Sequence, residues 1–266
     1  MKGYKGFEPG LICRGKQYAE NTVFEEEEAE ICSYGMHFCE NPFDVLDYYG
    51  FINDTGDFNE FAEVEALDEV KTDNNRKFCT KKLKIGAKLS ISKFINACVD
   101  FAIEKTSTCI ADNKISSGDS AQIGSSGNSA QIGSSGNFAQ IGSSGNFAQI
   151  GSSGNSAKIG SSGNSAKIGS SGDFAQIGSS GDFAQIGSSG DSAQIGSSGK
   201  DCVICCAGHN SAVKAKKGSW ITLAEWEYSK EKERYIPKCV KTEFVDGERI
   251  KEDTLYKLID GEFVEV

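Results

Sequence analysis

The residues with the most chemical potential are the thiols and the two histidines. Cys202 and Cys205 form a C-x-x-C pair with His209 close behind, and Cys32, His37 and Cys39 make a second group. Thiolates and imidazoles at such spacings are zinc ligands, but a structural zinc takes four ligands, usually as two close pairs. Neither group supplies a second pair, so both read as small thiols buried on strands, with no metal site and no cofactor. The ten cysteines follow an opening without an apolar stretch of signal-peptide length, which predicts reduced thiols and a cytoplasmic location. No Ser-His-Asp order, phosphate-binding glycine loop or dinucleotide fingerprint occurs, and no catalytic residue is expected.

Charge narrows the partners. The chain carries 28 basic and 38 acidic residues, net −10. Residues 1–118 hold −7 of this, 119–199 hold −2 and 200–266 hold −1. With no basic region there is no counterion-release gain on a phosphate backbone, so nucleic acid is not expected. No apolar run approaches 18 residues, so no membrane span is expected either.

The elements that position these residues are dominated by a repeat. From Asp119 to Gly199 the nonapeptide (N/D)-(S/F)-A-(Q/K)-I-G-S-S-G runs without interruption, and Ile204 and Val213 continue its register. Segments such as Ser120-Ala121-Gln122-Ile123 alternate as a half-buried strand does, and Gly-Ser-Ser-Gly supplies turn conformations closed to β-branched residues. One such strand cannot bury its isoleucine, whereas stacked copies form a continuous Ala/Ile core. Two glycines in nine residues exclude helix, and a disordered linker would not hold isoleucine in register. Substitutions arrive in pairs (Phe138 with Phe147, Phe174 with Phe183, Lys158 with Lys167), so the unit is two nonapeptides per coil. Nine copies make about four and a half coils, whereas a three-repeat coil would scatter the phenylalanines.

Strand parity turns Ala and Ile inward and the Ser/Phe and Gln/Lys positions outward. Phe138, Phe147, Phe174 and Phe183, with Lys158 and Lys167, are therefore the residues expected to meet a protein partner or a second copy of the chain. The competing expectation is that the rings turn inward or are covered by the ends. Calcium is not expected, because only Asp119, Asp173, Asp182 and Asp191 bring carboxylates to the turns. Ice binding would favour threonine ladders, which are absent.

The expected fold is thus mainly β: a nonapeptide-repeat parallel β-solenoid at 119–204, after an amino-terminal α+β domain at 1–118 and before a carboxyl-terminal β-meander cap at 205–266. In the first part, Asn41-Pro42 opens a helix that Gly50 stops, and Ser92 begins a second. Phe61 to Ala66 and Lys82 to Ile85 read as strands, and Glu25 to Glu28 as a solvated loop. In the last part Trp220 to Trp226 is a strand, while Asp246-Gly247 and Asp260-Gly261 signal hairpins.

Lys5-Gly6-Phe7, Cys13-Arg14-Gly15, Tyr18, Gly35 to Pro42, Asp44-Val45 and Tyr48-Tyr49 together resemble an uncharacterised domain family of gut bacteria and their phages. Gly208 to Ser211 and Lys217 to Trp226 are similar to the same group. The resemblance implies a phage or mobile-element origin and brings no established activity. The order of elements in residues 4–85 is more distantly similar to ADP-ribosyltransferase-like domains. Tyr4 to Phe7, Met36 to Phe38 with the Asn41 helix, and Ala62 to Glu65 fall in corresponding places. That likeness implies a nucleotide site at Lys5 and His37, with Lys5 standing where the family has its NAD-contacting histidine. The function expected first is a non-catalytic binding scaffold that engages a protein, a host-defence component among the candidates. The alternative is an ADP-ribosyltransferase-like nucleotide-binding protein.

Overall fold

A computed structural model describes the whole chain except Asp54, Asn74 and residues 107–112. It is mainly β, 47% strand and 7% helix. It divides into two compact units, Met1–Phe101 and Ala102–Val266.

The first unit carries a four-stranded antiparallel sheet in the order Lys2–Phe7, Glu60–Ala66, Lys82–Leu89, Val23–Glu25. A three-stranded sheet runs Met36–Phe38, Phe78–Thr80, Val70–Thr72. The short helix Pro42–Val45 starts as its sequence requires: the Asn41 side chain accepts from the Phe43 N–H, and proline occupies the first turn. The longer helix Ile91–Thr106 begins one residue earlier than Ser92, because the Ser90 hydroxyl accepts from the Lys93 N–H at 3.3 Å. Its Phe94 stacks on Phe61, ring centroids 3.8 Å apart and planes at 8°. Both rings are fully buried and anchor this core.

The second unit is a parallel β-solenoid of about 6 turns over residues 114–223. Each coil holds two four-residue strands in two facing sheets. One sheet runs from Asn113–Ser116 through Gln131–Ser134 and onward; the other starts at Gln122–Ser125. Partners are 18 residues apart, Gln131 on Gln149 and Ile132 on Ile150. The coil is longer than the nonapeptides alone. Asn113–Ser116 adds a strand in which Lys114 takes the isoleucine register and Ile115 the outward glycine register. The Lys114 ammonium donates to the Gly124 carbonyl, placing a cation beside the first coil of the apolar column.

Strands begin two residues later than parity suggested, at Gln-Ile-Gly-Ser, which moves the Ser/Phe position into the turn. There it adopts left-handed φ between 54° and 61° in all nine repeats, while no repeat glycine has positive φ. The glycines answer a different demand. A Cβ at Gly154 would stand 1.9 Å from the Gly136 carbonyl oxygen one coil away, and the ninth position of each later repeat meets the same obstacle. They permit stacking distance, and the turn's unusual backbone falls instead on serine and phenylalanine.

The first repeat position explains its own chemistry. The Asn137 side chain accepts from the Asn155 N–H at 2.9 Å, and the Asn155 side chain from the Asp173 N–H at 2.9 Å. An equivalent ladder climbs the opposite corner from Asn128 to Lys200. Either Asn or Asp serves, because only Oδ1 is needed as acceptor. The turns are thus hydrogen-bonded coil to coil through the N–H groups of their second serine, their Asn or Asp and their Ser or Phe.

Inside, the isoleucines from Ile123 to Ile195 are at most 4% exposed. The serines at the seventh position are also interior, and the hydroxyls of Ser143, Ser161 and Ser179 have no partner. Cys206 and Leu223 take over that register further on, so the column tolerates apolar groups there.

The carboxyl-terminal part divides into two hairpins, one extending each sheet. Trp220–Ser229 pairs with Arg234–Phe244, and Leu255–Ile259 with Glu262–Glu265. Asp260 and Gly261 have φ of 50° and 74°, both left-handed as a tight two-residue hairpin requires. Asp246-Gly247 is not a hairpin. The Asp246 carboxylate accepts from the N–H groups of Glu248 and Ile250 and turns the chain from one sheet toward the other. The long outer strand Arg234–Phe244 carries Pro237, Lys238 and Lys241, residues that discourage pairing with another edge.

Candidate functional site

Two features stand out, one in each unit. On the solenoid, Phe138 and Phe174 lie in one corner column and Phe147 and Phe183 in the other, each 56–60% exposed. Their backbones are held by the ladder: the Phe138 N–H donates to the Asn155 carbonyl and the Phe147 N–H to that of Asn164. Serine occupies the intervening coils, so each corner alternates ring and notch. The rings do not turn into the apolar column. The two lysines part company: Lys167 is exposed on one sheet, whereas Lys158 on the other is buried at 5% exposure, as is neighbouring Gln140. On that second sheet Gln122 and Gln194 are exposed, so burial at the fourth position is confined to the coils of Gln140 and Lys158.

In the first unit, Lys5 and His37 line a cavity of about 690 Å³ with Tyr4, Cys13, Arg14 and Tyr49. Two close approaches build it. Tyr4 and Cys39 exchange backbone hydrogen bonds, joining the first strand to the strand that holds His37. Gly6 admits the Tyr49 ring, whose Cβ would lie 2.6 Å from a Cβ at Gly6. The Lys5 ammonium donates to the His37 carbonyl at 2.8 Å and lies 5.5 Å from the Phe7 and Tyr18 ring centroids. Burial pulls its pKa down, opposed by the Cys13 thiol beside it. The Tyr49 hydroxyl donates to Cys13 Sγ at 3.2 Å.

His37 is held neutral. Burial and then the Lys5 charge lower its pKa to about 4, and its Nε2 accepts from the Cys32 N–H at 3.1 Å. The unfolded chain takes up this proton near 6.5, before the folded one, so stability falls as pH drops from 6.5 toward 4. A proton NMR titration of the imidazole should find its midpoint near 4. A midpoint near 6.5 would mean that the ring stands in bulk water.

Among the described residues no group of three or more His, Cys, Asp or Glu could hold a metal ion. Cys202 is buried in the solenoid and Cys39 in the first unit, where burial pushes its thiol up to about 12. Cys205 and Cys32 are exposed, contrary to the sequence expectation. Cys205 takes the outward glycine register, and Cys32 sits in a left-handed turn with the Lys77 ammonium 3.0 Å from its sulfur. No described helix is long and apolar enough to cross a membrane.

Fold and surface define a rigid β-solenoid scaffold suited to a non-catalytic binding role. Residues 1–97 match the family model described as "Domain of unknown function (DUF7666)", an uncharacterised family. No curated protein and no solved structure matches the chain.

Proposed function

We propose that the chain is a non-catalytic, cytoplasmic protein-binding scaffold whose solenoid presents aromatic corners to a protein partner. The observation that carries this is the exposure of four phenylalanines at fixed height on a hydrogen-bonded frame. Serine suffices for the same turn elsewhere, so folding does not require the rings. Exposed aromatics on a rigid support are the usual anchors of protein interfaces. The amino-terminal resemblance supports a phage or mobile-element origin and makes a host-defence component the partner to seek.

The test replaces Phe138, Phe147, Phe174 and Phe183 by serine in the full chain. Capture of partners from cells of origin, read by mass spectrometry, should be lost while the circular-dichroism spectrum stays unchanged. Undiminished capture would reject the corners as the docking surface.

A second reading is favoured by the cavity in the first unit. Its lining sets Lys5, Arg14 and a neutral His37 among tyrosines, with Glu8, Glu26 and Asp47 also on the walls, and suits a ligand with a flat ring, as the ADP-ribosyltransferase-like order of elements implies. Calorimetry of the full chain against NAD decides it: saturable heat that Lys5→Met removes supports the site, and no heat at millimolar ligand eliminates it.

A further inference from the structure

We propose that the corner bearing Phe138 and Phe174 docks on the same corner of a second copy of this chain, across a two-fold axis. This rests on the reading of the corners as docking surfaces and names their partner. Coils rise by about 4.8 Å, so the rings recur about every 9.6 Å with a serine notch between them. A surface that matches this period along its length must share it, and another copy does so by construction.

The column is self-complementary in both of its registers. In the turn register it reads Ser120, Phe138, Ser156, Phe174, Ser192. In the ladder register it reads Asp119, Asn137, Asn155, Asp173, Asp191, and His209 continues it through its N–H to Asp191. Set the axis between the coils of Ser156 and Phe174. Phe174 then lies over the partner's Ser156, and Phe138 over the partner's Ser192. The same operation sets Asp173 against the partner's Asn155 and Asp191 against the partner's Asn137, and brings Asp119 level with the partner's His209, an imidazole that in each copy stacks on its own Tyr235. Each ring meets a notch, and no aspartate meets an aspartate. An interface related by a two-fold requires this kind of match, since each pairing occurs twice.

Neighbouring registers fail. An axis through Ser156 sets Phe138 against the partner's Phe174 and Asp119 against the partner's Asp191. An axis one coil lower brings Asp119 to the partner's Asp173. Like charges so opposed cost affinity and exclude those alignments. The opposite corner has a shorter match, because placing its rings over notches leaves Lys200 and Asp201 outside the overlap.

Sedimentation equilibrium of the full chain at micromolar concentration tests this. The chain should be a dimer, Phe138→Ser with Phe174→Ser a monomer, and Phe147→Ser with Phe183→Ser still a dimer. Ser156→Phe is the sharper variant, since phenylalanine already fits this turn in neighbouring coils. It adds apolar surface yet fills the notch, and should weaken the dimer at least about ten-fold. A stronger dimer in Ser156→Phe, or dimer loss only in the Phe147/Phe183 variant, would overturn the proposed face. A monomeric wild-type chain would overturn self-docking and leave the docking reading to the partner-capture experiment.

Discussion

Replacing Gly154 by alanine should destabilise the solenoid by about 3 kcal/mol or more, whereas Gly151→Ala should be nearly silent. The two glycines are three residues apart in one repeat and would be ranked alike by any conformational argument, since neither has positive φ. Space distinguishes them. A methyl on Gly154 meets the Gly136 backbone at 1.9 Å, where no side chain can move aside, while a methyl on Gly151 meets nothing within 4 Å. Urea titrations of the two variants check this directly. Equal midpoints would show that the coils do not stack at the described distance.

Ile159→Ala should cost about 2–5 kcal/mol, the range for emptying a fully buried aliphatic site. Ile159 is 0% exposed and stacks between Ile141 and Ile177 in the register of its sheet. Collapse around the gap is opposed by coils already at backbone contact, which favours the upper half of that range. Because each coil touches only its neighbours, a break in mid-column uncouples the turns on either side. The denaturation curve should therefore broaden as well as shift. A loss below about 1 kcal/mol would place Ile159 outside a packed column.

The repeat made the architecture legible because isoleucine at a fixed interval admits only one burial scheme. Two repeats per coil followed from the paired substitutions, whereas Phe138 and Phe147 face outward from a left-handed turn and not by the strand parity that pointed there. What sequence could not show were relations created by stacking. The left-handed turn falls on Ser or Phe because the ladder fixes both neighbours, a demand that appears only between coils. Asn and Asp at the first position looked like failed calcium ligands, yet they are acceptors for the coil above. Lys158 and Lys167 are identical in local sequence and differ in burial, which no local signal could separate. The cavity at Lys5 and His37 was nameable only through the resemblance, because its walls come from segments far apart in the chain. The Asp246 turn was misread because Asp-Gly between alternating runs signals reversal without saying which sheet receives the next strand.

Amide hydrogen exchange across residues 122–204 tests the central claim that the repeats form one hydrogen-bonded rod. The N–H groups of the turns, Asn155 donating to Asn137 and Phe138 to Asn155, should be protected along with those of the strands. Slowing of at least about 1,000-fold, equivalent to about 4 kcal/mol, is expected through the middle coils. Turn amides exchanging at the rate of an open Gly/Ser linker would contradict the ladder, and with it the frame on which the aromatic corners depend.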